Sequence, residues 1–189
     1  MKKRIFVCSV IAICLAIAAY GSVAFFTHEE TATNVITMGN VKIELQELAI
    51  PSDGGDAIPF NDVIDILPGT DISKIVQIKN IGANPAWIRI SVETAIDLAD
   101  GATGTADTSL ITFDINTSNW IEKDGYFYYN QVLTPGEITV PLFTKVSFSP
   151  VMGNLYQQSK ATVVVTAHAT QSQNNGDSVL TAAGWPNAE

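Results

Sequence analysis

The sequence predicts an all-β chain built as an antiparallel two-sheet sandwich, jelly-roll-like, that follows a cleavable N-terminal signal helix. Short segments of alternating apolar and polar residues recur along the chain, and Gly/Pro turn signals separate them. Beyond the N-terminus no long segment has a convincing 3.6-residue period, and only residues 177–183 fit a short terminal helix.

The first residues predict export. A positive start, Met1-Lys2-Lys3-Arg4, precedes an apolar stretch, residues 5–19, which is shorter than the roughly 20 residues of a membrane-spanning helix. Ser22 and Ala24 then occupy the two small-residue positions that a signal peptidase reads, so we place the cut before Phe25. An uncleaved N-terminal anchor is the alternative.

This cut divides the chain into a signal peptide, residues 1–24, and a single β-sandwich domain, residues 25–189. Cys8 and Cys14 both lie in the signal peptide, so no disulfide is available to the exported domain. The chain carries 19 acidic and 10 basic residues, a net charge of −9. Nucleic acid and anionic lipid headgroups are therefore poor partners.

The predicted strands follow in order. Residues 41–48 alternate most clearly, and Pro68-Gly69 is a turn signal before the strand at residues 72–81. Residues 86–92 alternate again, with Trp87 and Arg89 on the face opposite Ile88, Ile90 and Val92.

The second half of the chain adds further strands. The pattern weakens over residues 93–112, which we expect to be mostly an exposed insertion. Asp124-Gly125 predicts a hairpin turn, residues 138–148 are rich in β-forming residues, and residues 161–169 form a β-branched run suited to a central strand.

Catalytic motifs are missing from the sequence. His28 and His168 are far apart, neither lies in an H-E-x-x-H helix, and the chain has no G-x-S-x-G elbow or P-loop. We expect His168 to face solvent or a sheet edge. We nominate no catalytic residue and no metal ligand.

Two acidic pairs and one aromatic cluster are the remaining candidates for binding. Calcium could bind the carboxylate oxygens of two acidic pairs, Asp53/Asp56 and Asp97/Asp100. Neither pair has the spacing of a calcium-binding loop, so we expect no cofactor, with calcium as the alternative. The aromatic cluster either packs in the core, which we favour, or forms a carbohydrate platform. Its members are Trp120, Tyr126, Phe127, Tyr128 and Tyr129.

Segments along nearly the whole chain resemble the sequences of one known protein family. They are Ala24-Phe25-Phe26-Thr27, residues 31–45, Leu67-Pro68-Gly69, residues 76–82, 85–89 and 125–129, Pro135-Gly136-Glu137, residues 167–171 and Gly184-Trp185. The chain thereby resembles the TasA/camelysin family, exported proteins cleaved by a SipW-type signal peptidase. The resemblance implies a secreted jelly roll that often assembles into extracellular biofilm-matrix fibres.

The preferred functional hypothesis is a secreted or cell-surface structural subunit that self-associates through β-strand addition. The predicted assembly strand lies near the new N-terminus and includes Phe25, Phe26, Val35 and Ile36. In the alternative arrangement this segment folds back as an edge strand of its own molecule. The expected partners are copies of the same chain and, during export, a signal peptidase and the membrane. A camelysin-like secreted metallopeptidase and a carbohydrate-binding module are the alternative functions.

Overall fold

The computed structural model describes residues 34–37, 41–61 and 68–186. Within these ranges lie ten strands and two short 3-10 turns, Thr108–Leu110 and Asn154–Tyr156. The strands are β1 (Asn34–Thr37), β2 (Ile43–Ala49), β3 (Ile58–Pro59), β4 (Asp71–Asn80), β5 (Ala86–Asp97), β6 (Ile111–Phe113), β7 (Trp120–Lys123), β8 (Tyr126–Tyr129), β9 (Phe143–Phe148) and β10 (Lys160–Gln171).

The strands form two five-stranded sheets. The order is β1-β10-β5-β8-β7 in sheet A and β3-β2-β4-β9-β6 in sheet B. The predicted all-β two-sheet sandwich is confirmed. One pair departs from the antiparallel pattern, because β1 runs parallel to β10.

The alternating segments form strands where the sequence predicts them, but three predictions are wrong in part. In the β-rich stretch 138–148 the strand begins only at Phe143, because Pro141 has no N–H to donate to a ladder and Ile138 forms an isolated bridge with Lys79. β5 continues to Asp97, because β10 pairs with it along its whole length, from Lys160 opposite Asp97 to Gln171 opposite Ala86. Residues 177–183 form turns rather than a helix. Their apolar side chains pack against sheet A instead of following a helical stripe.

Turn chemistry accounts for the chain reversals. Asp124 and Gly125 have φ angles of 52° and 78°, the positive values that a two-residue hairpin requires, and they join β7 to β8. Gly69 has a φ of 77°, as the predicted Pro-Gly turn demands.

The main hydrophobic core lies between the sheets. Alternate residues of β5 and β10, such as Ile88, Ile90 and Ala167, are fully buried against Ile78 and Phe143 of sheet B. A second, smaller cluster of Trp87, Tyr128 and Val179, flanked by Tyr126, Ala182 and Trp185, is separate from this core.

The predicted signal peptide, residues 1–24, and the boundary at residue 25 lie outside the described residues. In the part of the chain that the structure describes, no helix has the length and apolar character needed to cross a membrane.

Candidate assembly edge and a buried arginine–aromatic cluster

Three of the four outermost strands are poorly suited to pairing with another chain. β3 has two residues, one of them Pro59, and β6 has three. β7 has four residues, three of them exposed, and ends on Glu122 and Lys123. Shortness, proline and charge are the features by which natural sheets prevent edge-to-edge association.

The fourth edge, formed by β1 and β10, is different. β5 pairs with all 12 residues of β10, whereas β1 pairs only with residues 166–169. Among the described strands, none covers residues 161–165 on the β1 side. This segment, Ala-Thr-Val-Val-Val, has no charge and is rich in β-branched residues, which favour strands. We call residues 161–165 the open edge of β10.

The described part of the predicted assembly strand lies beside this open edge. Val35 and Ile36 belong to β1, where they stand opposite Ala167 and His168 in parallel register. In this structure β1 therefore pairs within its own chain, as in the fold-back arrangement. Phe25, Phe26 and the cleavage residues Ser22 and Ala24 lie outside the described residues.

The outer face of sheet A carries the second feature. Because side chains alternate along a strand, burial of Ile88 and Ile90 in the core directs Trp87 and Arg89 outward. Arg89 stands opposite His168 of β10 on one side and opposite Tyr128 of β8 on the other. An arginine, a histidine and aromatic rings thus meet outside the main core.

Residues 172–186, which we call the C-terminal strap, cover part of this face. Asn175 holds the strap in a fold: its amide nitrogen donates to the Ala183 carbonyl at 2.9 Å, and its amide oxygen accepts from the Ala183 N–H at 2.8 Å. The strap attaches to the sheet where the Trp87 indole donates to the Asn175 carbonyl at 3.1 Å and the Thr170 hydroxyl donates to the Ala183 carbonyl at 3.1 Å.

Arg89 is enclosed by aromatic rings. Its guanidinium carbon lies 3.9 Å from the Tyr126 ring centroid and 4.8 Å from that of Trp185, and Nη2 donates to the Pro186 carbonyl at 2.9 Å. Its side chain finds no carboxylate among the described residues, and Nε has no hydrogen-bond partner there. Cation–π contacts with these two rings stabilise the buried charge.

Lys74, the other buried cation among the described residues, illustrates the usual arrangement. Its ammonium lies 2.6 Å from Glu47 Oε1 and 3.9 Å from the Phe60 ring centroid. Buried charges are normally paired in this way because an unpaired one loses its hydration without compensation. Against this standard, the environment of Arg89 is unusual.

His168 is fully buried, so the prediction that it faces solvent or a sheet edge is wrong. β1 and β5 flank β10 at this residue, and the Tyr126 ring packs edge-on, 5.7 Å away between centroids. Neither imidazole nitrogen has a hydrogen-bond partner among the described residues. Burial, aided by the Arg89 charge, lowers the pKa of His168 to about 4, so the ring is neutral at pH 7.

The predicted aromatic cluster divides between the two cores. Trp120 and Tyr129 pack together in the main core with ring centroids 5.1 Å apart. Tyr128 lies against Trp185 of the strap, 5.8 Å between centroids, and Tyr126 packs in the same small cluster. Packing, the favoured interpretation, is confirmed, and a carbohydrate platform of exposed rings loses its basis.

The acidic pairs show no metal-binding geometry. Asp53 Oδ1 accepts from the Gly55 N–H at 3.0 Å within its own loop. In the described ranges no group of three His, Cys, Asp or Glu side chains is placed to hold a metal ion. His28 lies outside these ranges.

No protein-family model and no curated protein matches this chain. The TasA/camelysin resemblance therefore rests on the sequence motifs alone.

Proposed function

We propose that this protein is an exported structural subunit that self-assembles outside the cell, each copy lending its N-terminal strand to the β10 edge of the next. The observation that carries the proposal is the open edge of β10. It is the one long apolar strand border among the described strands, and it adjoins the strand that sequence patterning selects for assembly.

The register of β1 specifies how an incoming strand would pair. β1 runs parallel to β10 with Asn34 opposite Thr166. If a neighbouring subunit supplied the strand in the same register, residues preceding its Asn34 would continue along the open edge toward Ala161. Backbone hydrogen bonds would then supply affinity, and side-chain pockets would supply register.

The present β1–β10 pairing is short enough to be exchanged. It involves four residue pairs, against 12 between β10 and β5. A strand lent to the next copy makes a contact between two different surfaces, and such a contact repeats without closing unless the rotation forms a ring. Linear fibres are the expected product.

Export fits this role. The predicted signal peptide delivers the chain outside the cytoplasm, with membrane association only before cleavage. The TasA/camelysin resemblance points in the same direction, toward an extracellular or cell-surface matrix protein.

Electron microscopy and sedimentation of the purified chain beginning at Phe25 test the proposal. We expect fibres or large oligomers after days of incubation, with or without chelator, and no cleavage of casein. A persistent monomer would contradict assembly by this chain alone. Chelator-sensitive casein cleavage would favour the alternative metallopeptidase.

A further inference from the structure

We propose that the C-terminal strap is an acid-released cover, held closed while His168 is neutral and opened when that ring takes up a proton beside Arg89. The inference concerns the outer face of sheet A and does not depend on fibre assembly. It rests on the placement of His168, on the separation of the strap from the main core, and on the finding that no carboxylate of a described residue pairs with Arg89.

Among the described residues, no group of the closed cluster compensates a second positive charge. The titratable or charged groups that face His168 are Arg89 from β5 and Tyr126 from β8, with Tyr128 beyond it. The residues of β1 are not titratable, and Asp177, the titratable residue of the described strap, is exposed. Protonated His168 would therefore be a buried cation beside another cation, an arrangement that opens to water.

Arg89 links this charge to the strap. Its guanidinium stacks on Trp185 and donates to the Pro186 carbonyl, while its backbone stands opposite His168. Repulsion between the two cations would be relieved most directly by moving the guanidinium into water, and this movement breaks both strap contacts.

The strap can open without unfolding the sandwich. The strap's buried residues are Val179, which packs with Trp87 and Tyr128 in the small cluster, and Pro186; no strap residue belongs to the main core. Further attachments are the hydrogen bonds from Trp87 to the Asn175 carbonyl, from Thr170 to the Ala183 carbonyl, and from the Ser172 N–H to the Pro85 carbonyl. Local opening of such a peripheral unit requires less free energy than global unfolding.

The pH range follows from linkage. The open state binds a proton near the ordinary histidine pKa of 6.5, whereas the closed state resists protonation down to about 4. Protonation of His168 therefore leaves the closing equilibrium unaffected well above pH 6.5 and weakens closure as the pH falls toward 4. The equilibrium constant for closing falls by up to about tenfold per pH unit within this range.

Hydrogen exchange detected by mass spectrometry or NMR tests the inference. The reporters are the Ala182 and Ala183 amides, which bond the Ser178 carbonyl and Asn175 Oδ1, and the control is the Ile78 amide in sheet B, which bonds the Thr139 hydroxyl. After correction for intrinsic rates, we expect strap protection to fall by about 40-fold between pH 6.5 and 4.5. Ile78 should keep its protection, and His168→Phe should remove the pH dependence.

Three results would overturn the inference: constant strap protection, loss of strap and Ile78 protection together, or the same pH dependence in His168→Phe. If that variant fails to fold, the His168 ring is titrated by NMR in the wild-type chain. A ring that titrates near pH 6.5 while the strap amides stay protected contradicts the inference, and an apparent pKa well below 6.5 that coincides with loss of strap protection supports it.

Discussion

The two sides of β10 differ in a way that separates permanent from exchangeable structure. Toward β5, β10 pairs along 12 residues, and its inward side chains share the main core with Ile88 and Ile90. Toward β1 it pairs along four residues and leaves the uncharged segment 161–165 without a described partner strand. Long pairing that buries side chains defines the domain, whereas short backbone pairing leaves a border that another copy can use.

The largest expected effect comes from damaging the β5 side. Ile90 is fully buried and stands opposite Ala167, so Ile90→Ala leaves a cavity in the main core and should lower the free energy of unfolding by about 2–5 kcal/mol. Urea denaturation measures this change. The matched control is Ile121→Ala on β7, where the side chain is 38% exposed and the loss should be about 0.5 kcal/mol or less. Equal losses would contradict the distinction between core and border.

Removing β1, which pairs with the other side of β10, should abolish assembly while preserving the fold. A chain beginning after Thr37 lacks β1 but keeps every described residue of the main core and of the small cluster around Trp87. We expect one cooperative unfolding transition, a smaller stability loss than for Ile90→Ala, and no fibres by electron microscopy. Normal fibres from this truncated chain would refute assembly through the N-terminal strand.

A charge on the open edge should have a more selective effect. Val164 lies within this edge, opposite the exposed Glu93, so a lysine there can be accommodated by the monomer but discourages strand addition. We expect Val164→Lys to slow fibre growth strongly with little change in melting temperature. Ile121→Lys on β7 is the matched control, and fibre growth by sedimentation should be close to wild type. Equal inhibition by both would mean that charge alone governs assembly.

The smallest expected effect is in sheet B, where a carboxylate holds one edge in place. Asp114 accepts hydrogen bonds from the Thr144 N–H at 2.9 Å and the Lys145 N–H at 2.7 Å. Burial alone would raise the pKa of Asp114. The hydrogen bonds from the Thr144 hydroxyl and these two amides lower the pKa by a larger amount, so it lies below the ordinary 3.8. Asp114→Asn should cost less than about 1 kcal/mol, because the site is exposed.

The direction in which this stability difference changes with pH tests the role of Asp114. A carboxylate with a lowered folded-state pKa stabilises the protein above its unfolded pKa, and this contribution is lost as pH falls through the folded value. The difference between wild type and Asp114→Asn should therefore be full above about pH 4 and shrink at lower pH. A difference that grows on acidification would contradict the assigned role.

Local patterning predicted the sandwich well because its signals are short-range. The alternation in residues 41–48 and the Asp124-Gly125 turn both act within a few residues, and each leads to the expected strand or hairpin. The parallel pairing of β1 with β10 joins residues more than 100 positions apart, and no local pattern specifies it.

The buried cluster was missed for the same reason. Alternation placed Trp87 and Arg89 together on one face, and that face is the outer one. The C-terminal strap covers part of this face, and the strap residues that contact it, Asn175 and Trp185, lie outside the strands, where no alternating pattern marks them. The expectation that His168 faces solvent failed because burial there depends on three separate segments: β1, β8 and β5.

Cysteine cross-linking tests the central claim most directly, since the chain from Phe25 onward contains no cysteine. Asn34 and Thr166 are opposite each other in the β1–β10 register, and paired strand positions lie within disulfide range. Fibres grown from an equal mixture of Asn34→Cys and Thr166→Cys subunits should, on oxidation, yield disulfide-linked dimers of the two variants. The double variant, locked within one chain before assembly, should remain monomeric. Fibres from the locked protein, or fibres of the mixture without linked dimers, would contradict strand exchange at β10.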